Sequence, residues 1–148
     1  MAYLIDTGVL LRVFDRTSPD HSTILRAISV LYEQGEDLLV APQNIAEFWN
    51  VSTRPKDKNG FGLPVESVAK RLRVIERFVE IVPETLKSYD EWKRLVKEKA
   101  VLGAKVHDAR LVSIMRVSSV ANILTLNAAD FRRYDDITPL SPAMIATN

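Results

Sequence analysis

The 148-residue chain is long enough to bury one hydrophobic core and too short for two, so a single domain over residues 1–148 is expected. Its net charge of +1, from 20 basic and 19 acidic residues, leaves any attraction for nucleic acid to local surface patches. The absence of cysteine excludes disulfides and thiolate metal sites, and no apolar run approaches the roughly 20 residues of a membrane span. We therefore expect a cytoplasmic protein in which only oxygen atoms or the two histidines are available to a metal, which disfavours zinc.

The N-terminal part of the chain predicts one strand and two helices. Residues 3–5 have the composition of a short buried strand, and residues 7–14 space their apolar side chains as a helix does, with Asp6 at the junction. A second helix is expected to begin near residue 18 or 19 and to end at Gly35. The side chains expected to face inward from it are Ile24, Leu25, Ile28, Leu31 and Tyr32.

A helix with one polar side is expected after the next strand, at residues 38–40. Pro42 begins this helix, and its apolar side carries Ile45, Phe48 and Trp49. The polar side is expected to consist of Gln43, Asn44, Glu47 and Asn50. Residues 52–63 then concentrate proline, glycine, asparagine and charge, which predicts a long mobile loop of the kind that often contacts ligands.

The middle of the chain repeats the alternation of helix and strand. Pro64 begins a helix that is expected to run to about residue 77, and residues 78–82 predict a third strand. Another amphipathic helix is expected from about Ser88, with Gly103 as its C-terminal cap.

The C-terminal part predicts one more helix and two more strands. A helix over residues 106–117 carries Asp108 in its first turn, and residues 121–125 predict a fourth strand followed by the polar turn LNAAD. Residues 137–140 predict an edge strand, since Pro139 has no N–H to donate to a neighbour. The alternation predicts an α/β fold, a three-layer α/β/α sandwich around a mostly parallel sheet of four or five strands.

Four carboxylates lie at or near predicted junctions between strands or loops and helices. Taken singly, Asp6 and Asp130 suit helix caps, Asp108 suits capping and cation binding equally, and Glu47 suits a solvated helix face. Taken together, the four are expected at the edge where parallel strands end, which is where α/β sheets bind ligands. Four like charges there call for a cation, and a donor set of oxygens favours Mg²⁺ or Mn²⁺.

Four segments resemble the PIN domain in their order and spacing over nearly the whole chain: LIDTGVLLRVF, IAEFWNV, GAKVHDARLVSIM and ILTLNAADFRRY. Within that family the chain is most similar to the toxins of VapBC type II toxin–antitoxin systems. The resemblance implies a metal-dependent endoribonuclease, a cognate antitoxin as partner and a homodimer. The chain departs from the family pattern at Gly8, where PIN domains often have asparagine.

The resemblance also implies roles for individual residues. Asp6, Glu47 and Asp108 are expected to hold Mg²⁺ or Mn²⁺, directly or through water, and Asp130 is expected to complete the site as its fourth carboxylate. The residues expected to support them are Thr7, Thr125 and Asn127. Whether Asp130 or Asn127 lies closer to the metal stays open at this stage.

RNA is a polyanion, so an acidic site would need metal and a basic rim to accept it. The candidates for that rim are Arg12, Arg16, Arg54, Lys56, Lys58, Arg110, Arg132 and Arg133. The cations would activate water for in-line attack on a phosphodiester, and no side-chain nucleophile would be required.

Two other functions are consistent with parts of the sequence. The tripeptide Asp6-Thr7-Gly8 also matches the signature of aspartic proteases, but the helical spacing after it argues against their nearly all-β fold. The second alternative is a non-catalytic PIN-like module that binds RNA or a protein, in which the acids serve folding.

Overall fold

A parallel five-stranded sheet lies at the centre of the computed structural model, which describes residues 1–147. The strands are β1 (Ala2–Ile5), β2 (Asp37–Val40), β3 (Glu80–Ile81), β4 (Asn122–Leu124) and β5 (Thr138–Leu140). Their order across the sheet is β3-β2-β1-β4-β5, and each neighbouring pair is parallel. The central position of β1 brings the N-terminus of the chain beside a strand more than 100 residues away. The expected edge strand is β5.

Seven helices connect and cover the strands among the residues that the structure describes. They are α1 (Thr7–Arg12), α2 (His21–Glu33), α3 (Pro42–Thr53), α4 (Val65–Ile75), α5 (Leu86–Glu98), α6 (Lys105–Val117) and α7 (Pro142–Ala146). Two short 3₁₀ turns lie at Lys56–Lys58 and Ala128–Phe131. No helix within residues 1–147 combines the length and the apolar character needed to cross a bilayer.

The sheet separates two hydrophobic cores, because successive side chains of a strand point to opposite faces. On one face Tyr3 and Ile5 pack with residues of α1, α2, α3, α4 and α7. On the other face Leu4 packs with Leu95 of α5 and with most of α6. The expected three-layer α/β/α sandwich is therefore confirmed, and its sheet is parallel throughout. This mixed fold also excludes the aspartic-protease interpretation.

Two expectations about α2 and α3 are wrong. Leu25 and Tyr32 were expected to face inward from α2 but are 41% and 62% exposed, because the buried stripe follows Ile24, Ala27 and Leu31 instead. Gln43 and Asn44 were expected on the solvated side of α3, yet both are buried.

The ends of α5 also differ from expectation. The helix begins at Leu86 because Thr85 and Ser88 cap each other: Ser88 Oγ accepts from Thr85 N at 2.8 Å, and Thr85 Oγ1 accepts from Ser88 N at 3.3 Å. It ends at Glu98, so Gly103 is not its cap. Gly103, with φ of 57°, instead lies in the turn that leads into α6.

The segment expected as a long loop is partly ordered by backbone hydrogen bonds. The chain continues as α3 to Thr53, turns through Lys56–Lys58 and then runs back along the end of α3. Gly62 N donates to Arg54 O at 2.8 Å, and Leu63 N donates to Ser52 O at 2.9 Å. The mobility of this segment stays a prediction.

Candidate active site

Asp6 lies at the carboxyl end of the central strand and is held from both sides. Its backbone N donates to Leu124 O of β4 at 3.0 Å, which continues the sheet by one residue. Its Oδ1 accepts from Thr7 N at 2.9 Å at the start of α1, and its Oδ2 accepts from Thr125 Oγ1 at 2.7 Å. The same Thr125 hydroxyl accepts from Asn127 N at 3.0 Å. The end of β4 therefore fixes the direction of the Asp6 carboxylate.

Glu47 projects from α3 into a network of polar side chains. Thr7 Oγ1 donates to Glu47 Oε2 at 2.8 Å, and Gln43 Nε2 donates to Glu47 Oε1 at 2.8 Å. Gln43 Nε2 also donates to His107 O at 3.1 Å, and Asn44 Nδ2 donates to Thr7 Oγ1 at 3.2 Å. Thr7 hence joins the end of β1 to α3, and Gln43 joins α3 to the start of α6.

Asp108 and Asp130 lie on either side of a lysine. Asp108 is in the first turn of α6, and Asp130 is in the 3₁₀ turn that follows β4. Lys105 Nζ lies 2.6 Å from Asp130 Oδ1 and 3.9 Å from Asp108 Oδ2. Its ammonium is thus a positive charge already held between two of the four carboxylates.

The charges of the four carboxylates act on one another. Burial raises the pKa of Asp6, which the Thr125 and Thr7 hydrogen bonds oppose and the charges of Glu47 and Asp130 reinforce. Burial and then the charge of Asp130 raise the pKa of Asp108 to about 6, with Asp6 and Glu47 adding to the rise. Carboxylates whose pKa values are raised by burial and by one another's charge are typical of functional sites.

The carboxylates suit a hard divalent cation in their chemistry but are not gathered tightly around one point. All four offer oxygen ligands, and Lys105 shows that a cation lies favourably between two of them. Within residues 1–147, however, no three carboxylate or histidine side chains lie close enough to hold one ion. For one ion to contact three of them, side chains would have to move, and Lys105 lies between two of the carboxylates.

The expected basic rim divides into residues near the acids and residues elsewhere. Arg12 Nη1 donates to Gly8 O at 3.1 Å, next to the start of α1. Arg110 lines a cleft of about 440 Å³ together with Gln43 and Glu47. Arg54 turns back onto Asn59 O at 3.0 Å. The remaining candidates, all exposed, are Arg16, Lys56, Lys58, Arg132 and Arg133.

Sequence reasoning missed three residues of this cluster. Gln43 and Asn44 were assigned to a solvated face, and Lys105 received no role. A weak signal existed in their spacing, since Gln43 precedes Glu47 by four residues and Lys105 precedes Asp108 by three. On a helix both spacings place the pairs side by side.

Comparison with known proteins identifies the family. The PIN domain family model matches residues 3–137, and no curated protein matches the chain in sequence. Solved structures with a similar fold include VapBC2 from Rickettsia felis bound to a promoter DNA fragment, with 14% identity, a TM-score of 0.69 and coverage of 95% of this chain and 98% of that one.

Two further structures are similar to the same degree. VapC20 of Mycobacterium tuberculosis, a toxin that cleaves the sarcin-ricin loop, has 13% identity, a TM-score of 0.65 and coverage of 89% and 95%. VapBC-1 from nontypeable Haemophilus influenzae has 15% identity, a TM-score of 0.68 and coverage of 96% and 98%. At such low identities these structures support the fold, while the match of the family model extends over most of the sequence. The chain belongs to the PIN domain family.

Proposed function

We propose that this protein is an endoribonuclease that requires Mg²⁺ or Mn²⁺ and acts as the toxin of a type II toxin–antitoxin pair. The observation that carries the proposal is the electrostatic coupling of carboxylates from four separate elements. The pKa of Asp108 is raised to about 6 by burial and by the charges of Asp130, Asp6 and Glu47. Such an arrangement costs stability unless a cation offsets it.

Asp6, Glu47 and Asp108 would hold the cation, directly or through water, and Asp130 would complete the site after giving up Lys105. When bound, the cation activates water and neutralises charge on the phosphate that is attacked. The chain itself keeps the carboxylates in position. Thr125 and the backbone N–H of Thr7 hold the two oxygens of Asp6.

The two oxygens of Glu47 are held in the same manner, by the Thr7 hydroxyl and by Gln43. These hydrogen bonds limit the rotamers of both carboxylates before any ligand arrives, which lowers the entropy cost of assembling the site.

RNA is the substrate that this acidic cleft fits best in combination with basic residues at its margin. Arg12 and Arg110 are next to the acids and are proposed to contact phosphates near the cleaved bond. The candidates for contacts farther along the RNA are Arg16, Arg54, Lys56, Lys58, Arg132 and Arg133. Their effect is expected to depend strongly on salt concentration.

The toxin assignment rests on the similarity of fold to two VapBC structures and to VapC20, a toxin that cleaves the sarcin-ricin loop. We therefore propose a protein antitoxin as partner and a homodimer as the assembled toxin, acting in the cytoplasm. Expression of the chain alone is expected to arrest growth, and co-expression of a small antitoxin encoded beside it is expected to restore growth.

The decisive experiment is a cleavage assay on total RNA with Mg²⁺ or Mn²⁺. The wild type is compared with Asp6→Asn and Asp108→Asn, and with Asp135→Asn as a control at an exposed aspartate outside the cluster. Cleavage should be abolished by EDTA and by both site substitutions, and should persist in the control. Full cleavage by both site variants would refute the proposal. RNA binding without cleavage by the wild type would favour the non-catalytic alternative.

A further inference from the structure

A second depression lies next to the acidic cleft and shares a wall with it. It encloses about 240 Å³ and is lined by Glu84, Ser88, Tyr89, Trp92 and Arg110. Arg110 also lines the larger cleft that contains Glu47, and the charge of Glu47 contributes to the raised pKa of Arg110, after the stronger effect of Glu84. The two depressions are therefore successive parts of one surface groove, with Arg110 at the boundary.

The floor of this second depression is an aromatic pair in a fixed arrangement. Trp92 Nε1 donates to Val106 O at 2.9 Å, which anchors the indole against the first turn of α6. Tyr89 lies one helical turn earlier, with its ring centroid 6.3 Å from that of Trp92 and the two planes at 26°. Tyr89 is nevertheless 51% exposed. A half-exposed aromatic ring backed by a rigid one offers a flat surface to a ligand.

Positive charge borders this aromatic pair on two sides. Lys93 Nζ lies over the Tyr89 ring, 5.3 Å from its centre, on an exposed side chain that a base stacking on this face would displace toward its own phosphate. On the other side Arg110 donates to Glu84 through Nε at 2.5 Å and through Nη2 at 2.7 Å. Its Nη1 has no hydrogen-bond acceptor among residues 1–147, so it keeps two N–H donors for an anion.

The orientation of Arg110 is set by Glu84. A bidentate pair fixes the plane of the guanidinium, so that the free Nη1 keeps one direction relative to the groove. Glu84 thus acts as a positioning residue, which holds the arginine between the carboxylates of the cleft and the aromatic pair.

We propose that the Tyr89–Trp92 pair is a subsite for one unpaired nucleobase of single-stranded RNA, and that Arg110 contacts the phosphate between this base and the cleaved bond. This inference rests on the proposed ribonuclease function. It predicts that the RNA substrate is single-stranded next to the phosphodiester that is cleaved. Stacking on aromatic rings together with contacts from basic residues to the backbone is the usual mode of binding unpaired RNA.

An apolar peptide is a poorer occupant than a nucleotide. The depression adjoins the cleft that holds Glu47, where the proposed function places the phosphodiester. Lys93 is cationic, and Arg110 keeps its free Nη1 donors although Glu84 pairs with its other nitrogens. A base accepts stacking on its face while its own phosphate pairs with Arg110. A peptide strand would leave the free donors of Arg110 without an anion unless it brought an acidic side chain.

Tryptophan fluorescence offers a test that does not depend on catalysis. The chain has two tryptophans, so Trp49→Phe leaves Trp92 as the single reporter. With Mn²⁺ present and Asp6→Asn added to prevent cleavage, single-stranded RNA of about ten nucleotides should quench Trp92 in this background, while duplex RNA of the same sequence should quench it far less. Tyr89→Ala should weaken the binding roughly tenfold or more, and Tyr89→Phe should retain it because the ring is kept.

The kinetic arm measures cleavage of the same RNA with Mn²⁺. Tyr89→Ala should raise KM roughly tenfold and leave kcat within about twofold, because stacking contributes to binding outside the reacting bond. Tyr32→Ala, which removes a 62% exposed tyrosine from α2, is the matched control and should change neither. Glu84→Gln should raise KM, whereas Asp136→Asn, which breaks the bidentate pair of Arg116 farther along α6, should not.

The outcomes separate this subsite from the proposed function. Unchanged quenching and unchanged KM in Tyr89→Ala, with active wild type, would overturn the subsite and leave the ribonuclease intact. A wild type that does not cleave RNA would refute the function, and the fluorescence arm would then decide the subsite alone. Intact RNA binding with altered sedimentation in Tyr89→Ala would mark a protein interface instead and would also overturn the subsite.

Discussion

Asp108→Asn is expected to make the metal-free protein more stable at neutral pH, although Asp108 is a proposed catalytic residue. Burial and then the charge of Asp130 raise the pKa of Asp108 from 3.8 to about 6. The shift, 6 − 3.8, is about 2.2 units, which corresponds to about 3 kcal/mol at 1.36 kcal/mol per unit. Because the side chain keeps 26% exposure, we reduce this penalty to about 2 kcal/mol.

Asparagine would remove most of that penalty at little cost. The carboxylate accepts no hydrogen bond from the residues that the structure describes, and Lys105 approaches it only to 3.9 Å. The attraction of a helix N-terminus for a negative charge is lost, which costs about 0.5 kcal/mol. The net gain in the free energy of unfolding is therefore about 1–2 kcal/mol, or about 3–6 °C in Tm for a chain of this size.

The pH dependence of this gain tests its cause. A carboxylate whose pKa is raised on folding is protonated in both states below about pH 3.8, so Asp108 then costs nothing. The penalty grows as the pH rises from there to about 6, and it is complete above that value. The stability gained by Asp108→Asn should follow the same course.

Urea unfolding in EDTA at about pH 4 and about pH 7.5 gives the measurement. Asp136→Asn is the control of opposite sign, since the Arg116 hydrogen bond lowers the pKa of Asp136 and the substitution should destabilise at neutral pH. Saturating Mn²⁺ should then stabilise the wild type more than Asp108→Asn. A gain of the same size at both pH values, or no gain at all, would contradict a raised pKa of Asp108 as the cause of the stabilisation.

Three further predictions concern the surroundings of the site. Thr125→Val removes the hydrogen bond that lowers the pKa of Asp6, so the acidic limb of the pH profile of RNA cleavage should move to higher pH. Thr125→Ser, which keeps the hydroxyl, is the control, and an acidic limb that does not move in Thr125→Val would contradict the prediction. Lys105→Met removes a cation that competes for the carboxylates, so calorimetry should find tighter Mn²⁺ binding; weaker binding would contradict the displacement of Lys105. Gly60→Ala places a Cβ 1.9 Å from Arg54 O, so urea unfolding should show a loss on the order of 2–4 kcal/mol, and a neutral effect would mean that this segment moves freely.

The fold could be predicted because local pattern and global architecture agree in this chain. Short apolar segments alternate with helical ones, and parallel pairing is what such alternation requires. The strand positions were predicted to within about two residues, as is usual for element ends. The buried face of α2 was not predicted correctly, because the apolar residues of this helix form a wider stripe than the part that neighbouring elements cover. α7 packs on α2 and covers part of this stripe, but its five residues are too few to show a helical periodicity in the sequence.

The four acids could be predicted as a set, while their supporting network could not. Asp6 and Asp130 follow strands, so topology alone places them at one edge. Asn44 is fully buried and Gln43 nearly so, but each is polar for reasons that lie in distant segments. Asn44 bonds Thr7, 37 residues earlier, and Gln43 bonds the carbonyl of His107, 64 residues later. The spacing of apolar residues within α3 predicts that such polar residues are solvated, because these contacts come from distant segments of the chain.

The central place of β1 has a consequence for the time at which the carboxylate cluster can assemble during folding. β1 must wait for β4 before its second edge is paired, and Thr125 reaches Asp6 across 119 residues of chain. Contacts of such sequence separation form late and slowly in folding. A nascent or truncated chain that lacks β4 therefore has an unbraced Asp6 and no Asp130. The topology therefore makes the bracing of Asp6 one of the last features of the fold to form, and it requires β1 and β4 to be present in the same chain.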